Sequence, residues 1–182
     1  MTTNLHVRIQ RPFTVGQLQS AAQRALEGLA PGAHPDALDV KAQSREFHGR
    51  YHDAPSVPAT FLDTLHGTEQ PPVPSYLLMT PDGDAIAGVS DLDVGFPEDP
   101  EGGRRLWVTR NFYREPASHL LGIAVVTAAA DLTGSPVVDE YEELTGERLA
   151  SPQHIIARLR DATARGEFNE AATAILHAAG IH

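Results

Sequence analysis

The residues NLHVRIQ alternate Leu5, Val7 and Ile9 with His6, Arg8 and Gln10. A period of two is the pattern of a strand covered on one face. The period lengthens in PFTVGQLQSAAQRALEGLA, where Leu18, Ala22, Ala25, Leu26 and Leu29 recur at helical spacing. Thr14 with Gln17 three residues later fits a capping box, and Phe13 is placed to staple onto Leu18. APGAHP then stops the helix. A second strand is expected near Leu38 and Val40, and a short helix in SVPATFLDTLHG ending at Gly67. EQPPVP is a rigid connector, because each proline removes a donor and fixes φ. SYLLMTPDGDAIAGVSDLDVGF reads as two strands joined by a PDG turn, and RRLWVTRNFY as another strand.

Beyond Arg114 the pattern changes. Pro116 suits the first turn of a helix and Gly134 the position just past its end. Between them, at 100 degrees per residue, Leu120, Ile123, Ala124, Val125, Val126 and Ala128 point in nearly every direction. A helix apolar all round must be covered all round. It is therefore expected to lie between the sheet and the C-terminal helices, with Gly122 and the alanines permitting close approach. Burying three or four of its large side chains contributes about 1.5–3 kcal/mol each. SPVVDE is a short strand, Ser151 and Pro152 open a further helix, and Asn169 is placed to cap the last one.

Hairpin-linked strands beside segregated helices predict an α+β fold: a mainly antiparallel sheet with helices packed on it. Its expected features are an alanine-rich buried helix at about 116–132 and a C-terminal helix pair. Residues 1–182 are expected to form one domain, a length at which a sizeable core is possible.

Composition narrows the function classes. Fourteen Lys and Arg stand against 24 Asp and Glu, a formal charge of −10. That field repels nucleic-acid phosphates and anionic membranes and favours a basic partner. Cysteine is absent, which removes disulfides, thiolate metal sites and cysteine nucleophiles. The start MTTNLHVRIQ has neither a basic nor an apolar leader region, so the cytoplasm is the expected location. The near-apolar run Leu120–Ala130 falls short of the ~20 residues of a membrane helix.

Signatures of catalysis are sparse. His48 and His52 have i, i+4 spacing with Glu46 and Asp53 nearby, but Gly49 weakens a helix there and the glutamate of HExxH is missing. No G-x-S-x-G, P-loop or G-x-G-x-x-G motif occurs. TPDGD lacks the remaining ligands of a calcium loop and reads as a turn. No cofactor or metal is expected. The collective feature is acidic: Asp91, Asp93, Glu98, Asp99 and Glu101 at a strand end and its loop, and Asp139, Glu140, Glu142 and Glu143 after the short strand. These are the candidate partner-binding residues; a solvated face is the plain alternative.

AAADLTGSPVVDEY followed by SPQHIIARLR resembles small bacterial immunity proteins of polymorphic toxin systems. The likeness covers the last third of the chain, in the sequence of alanine-rich helix, glycine turn, short strand ending in Asp, and helix. It implies a non-catalytic cytoplasmic inhibitor that binds a toxin domain, and it carries over no functional residue. A basic toxin would be steered to an acidic inhibitor. The alternative is a small enzyme or ligand-binding domain with a pocket between sheet and helices, where Trp107, Tyr113, His119 and Asp139 are the first suspects. A homo-oligomer joined through strand edges is a third reading.

Overall fold

A computed structural model describes residues 4–43, 54–68, 75–93, 103–109, 115–160 and 166–181. The first half of the chain gives β1 (Asn4–Arg8), β2 (Phe13–Thr14), α1 (Val15–Leu29), β3 (Asp39–Ala42), a 3₁₀ turn (Ala59–Asp63) and β4 (Leu65–His66). A hairpin of β5 (Ser75–Met79) and β6 (Ile86–Asp93) precedes β7 (Arg104–Thr109). Then follow α2 (Pro116–Thr133), β8 (Val137–Asp139), β9 (Leu149–Ala150), α3 (Pro152–Arg160) and α4 (Phe168–Ala178).

Seven strands form one sheet in the order β3-β5-β6-β7-β1-β8-β9, and β2 and β4 make a separate pair. Every pairing is antiparallel. The fold is α+β, as the strand and helix patterns predict. Alternation assigns the two faces. Leu5, Val7, Tyr76, Leu78, Val89, Leu106, Val108 and Val137 look toward the helices and join the main core. Leu77, Met79 and Ile86 look the other way and form a small second cluster with Ala54.

The helix α2 is the centre of the core. From Ala117 to Ala130 every residue is buried except His119, which is half-buried. It packs on β1, β6, β7 and β8 below and on α1, α3 and α4 around it. By length and hydropathy this 18-residue helix could cross a membrane, yet it is largely enclosed by protein. Its polar groups are satisfied locally, as burial requires. The Thr127 hydroxyl donates to Ile123 O at 2.6 Å and the Thr133 hydroxyl to Ala129 O at 3.0 Å. Ser118 Oγ accepts the Ile86 N–H at 3.0 Å, pinning the helix to β6. At its end Gly134 takes φ 74°, a left-handed cap that costs little without a Cβ.

Three local expectations need correction. Asn169 does not cap α4, whose N-cap is Glu167 with no side-chain hydrogen bond. Its Oδ1 instead accepts the Ala117 N–H at 3.2 Å, so it satisfies a donor in the first turn of α2 that has no partner within the helix. The segment before Gly67 is only a 3₁₀ turn, because β4 leaves it to pair with β2 (Phe13 opposite His66). Leu149–Ala150 form an unforeseen strand on β8, too short to show a period. The capping box of α1 is present as expected, with Thr14 Oγ1 accepting from Gln17 N at 3.1 Å.

Truncating Leu121 to Ala should cost about 2–5 kcal/mol in urea unfolding, as for a large side chain lost from a filled core. The Thr14→Ala variant should lose only about 1 kcal/mol, the usual cost of an N-cap.

Candidate functional site

The acidic residues separate into different environments. Asp91 is fully buried on the helix side of β6. Its Oδ2 accepts the Gly67 N–H at 2.8 Å and its Oδ1 accepts Arg104 Nε at 3.0 Å. The buried His66 lies alongside, Nδ1 3.7 Å from Asp91 Oδ2 and Nε2 2.9 Å from Tyr76 Oη. A carboxylate only accepts, so a proton on His66 Nδ1 faces it favourably and the Tyr76 hydroxyl donates to Nε2. Burial pushes the Asp91 carboxyl up, but His66, the Gly67 N–H and Arg104 together pull it below its ordinary value. Burial likewise depresses His66, against the opposing pull of Asp91. This cluster ties the β2–β4 pair to the main sheet. Asp93 ends β6 opposite Arg104, and Glu98, Asp99 and Glu101 lie outside the described residues, as do His48, His52 and Tyr113.

Asp139 is also fully buried. Its Oδ2 accepts Leu144 N at 2.7 Å and its Oδ1 accepts Tyr141 N at 3.3 Å, so it organises the loop that follows β8. Arg158 of α3 ties the same loop to the end of α4, donating to Leu144 O at 2.7 Å and to Ala179 O at 2.8 Å. Glu140, Glu142 and Glu143 are exposed on it, together with Tyr141. Glu142 takes φ 58°, a left-handed conformation unusual for a residue with a Cβ. Asp91 and Asp139 are three strands apart in the sheet, about 14 Å at the usual strand spacing. They cannot act as one acid–base pair. Among the described residues no group of three His, Asp or Glu is placed to hold a metal ion.

Between the sheet and the helices the described residues pack a large cluster of buried apolar side chains. His119 sits half-buried in the first turn of α2. A groove of about 500 Å³ opens instead on the sheet face turned away from the helices, along β1, β8 and β9. His6, Arg8, Arg105 and Arg148 line it, with Glu140 at its rim. Register explains the gathering: Arg8 lies directly opposite Arg105, and His6 lies between Trp107 on one side and Val138 on the other. The His6 and Trp107 rings stack at 4.5 Å.

Arg105 Nη1 is 3.2 Å from His6 Nδ1. A guanidinium has no acceptor, so Nδ1 accepts and the His6 proton sits on Nε2, 3.7 Å from Glu140 Oε1. Burial, then the charges of Arg105 and Arg148, push the His6 pKa down to about 4. His6, Arg8, Arg105 and Arg148 were not among the expected site residues. The alternations in LHVR and RRLWV mark each polar face, but only the pairing of β1 with β7 merges them.

Comparison of the chain with protein-family models, with curated proteins and with solved structures gives no match.

His6 titrates near 4 in the folded chain and near 6.5 when unfolded. The unfolded state therefore binds the proton first on acidification, and stability rises with pH across that interval. The loss between pH 7 and 4 should reach at most about 3 kcal/mol from this group. Its check is urea unfolding across pH, with a shallower slope expected for His6→Gln; an NMR midpoint for His6 near 6.5 would contradict the assignment.

Proposed function

We propose that the protein is a non-catalytic, protein-binding inhibitor of the bacterial immunity type, and that the loop following β8 is its docking element. The observation that carries this reading is the combination of internal fixing and outward charge in one short segment. Asp139 and Arg158 hold the loop backbone from within. Carboxylates of Glu140, Glu142 and Glu143 project from it beside Tyr141, which is 49% exposed.

A loop already held in one conformation loses less ordering entropy on docking than a floppy one. An exposed tyrosine supplies contact area with few rotamers to freeze, and tyrosine is enriched among residues that dominate binding energy. Leu149, 57% exposed on the adjoining strand, extends the apolar part of the patch. Clustered carboxylates would speed encounter with a basic toxin domain and repel an acidic one. Asp139 serves this reading by positioning the loop, and Asp91 lies too deep to meet a partner.

The test is co-expression with the C-terminal toxin domain of a secreted protein encoded beside it. Wild type is expected to restore growth and to form a stable complex. The triple variant Glu140→Lys, Glu142→Lys, Glu143→Lys should slow association at least tenfold at low salt, with a smaller loss at high salt. Tyr141→Ala should weaken the complex by more than about 1 kcal/mol, mainly through faster dissociation. Rescue and affinity unchanged in both variants would rule this loop out.

A further inference from the structure

The arginine-lined groove belongs to a different surface chemistry from the acidic loop, and of its lining the protein-binding reading uses only Glu140 and Leu149. Arg8 and Arg105 face each other across β1 and β7. Arg148, from the residue just before β9, lines the same groove, so three of the chain's 14 Lys and Arg converge on one concave surface of an acidic protein. The charges act at close range, since Arg105 and Arg148 help to depress His6 between them. A second feature is neutral. Ser135, at the α2–β8 connection, lines the groove, and its hydroxyl is buried with no hydrogen-bond partner among the described residues. A buried hydroxyl left unpaired costs free energy that a ligand acceptor would recover.

We propose that this groove binds a small organic oxyanion, its phosphate or carboxylate group held by Arg8, Arg105 and Arg148 and by the Ser135 hydroxyl. Guanidinium forks match both groups in planar, bidentate geometry. The volume of about 500 Å³ suits a metabolite-sized molecule. Val138 and Leu149 provide an apolar wall for its body, on the strands that flank the charged end. Glu140 at the rim accepts donors from a hydroxylated ligand. The site differs from a pocket between sheet and helices in both place and lining.

The experiment is calorimetric titration of the full chain with sodium phosphate and, separately, with citrate, each against sodium chloride at matched ionic strength. Saturable heat is expected with at least one of the two and none with chloride. Phosphate alone would assign a phosphorylated ligand and citrate alone a polycarboxylate. Arg148→Gln, on an exposed side chain, should weaken the response about tenfold, the usual effect of losing a charge-assisted hydrogen bond. Ser135→Ala should weaken it severalfold. Thermal unfolding in chloride verifies that both variants fold, and Arg8→Gln replaces either one that does not. The proposal is overturned if neither anion binds above the chloride response, or if folded variants bind as tightly as wild type.

Discussion

A helix with no polar side sets the terms for the rest of the molecule. The α2 helix carries apolar or small residues around its whole circumference, so any face left open would expose backbone-proximal apolar surface to water. Closing it requires a floor, two flanks and a roof. The central strands β6, β7 and β1 supply the floor, with α1, α3 and α4 around the rest. Elements from both ends of the chain therefore meet on one rod. Its alanines and Gly122 let those elements approach closely, while Leu120, Leu121, Ile123, Val125 and Val126 fill the gaps.

Among the described residues no helix covers the opposite face of the sheet, and the consequences are chemical. On the covered face buried polar groups pair with one another, as in the Asp91, His66, Tyr76 and Arg104 cluster. Its charges are compensated inside the fold, the only condition under which burial of a carboxylate is tolerable. On the other face Arg8 and Arg105 stand in register on neighbouring strands, beside a His6 that burial and the arginines keep neutral at pH 7. The acidic loop after β8 lies at the edge of the same region, Glu140 approaching His6. Two opposite charge chemistries thus adjoin at the β8–β9 end of the sheet, and each has its own proposed ligand class.

The loop also illustrates how buried and exposed carboxylates divide their work. Asp139 spends its acceptors on backbone N–H groups of Tyr141 and Leu144. The glutamates that follow are thereby fixed in space without losing their solvation. Residues of one composition, adjacent in sequence, play positioning and displaying roles according to burial alone. Asp91 and Asp139 look alike in a list of acidic residues, yet neither reaches the surface.

Much of the architecture was legible from period and punctuation. The alternation of Leu5 and Val7, the box of Thr14 and Gln17, the PDG hairpin and the Pro116–Gly134 bracket are local signals, decided by neighbours a few residues away. So was the enclosure of α2, because an apolar circumference permits no other outcome in water. Short elements escaped: two-residue strands such as β9 have no period to read. The redirection of Asn169 to α2 escaped too, since its partner lies 52 residues away in sequence. Which carboxylates are buried, and which arginines share a groove, depends on strand order and register. Those are set by the packing of distant segments against α2, and no local spacing encodes them.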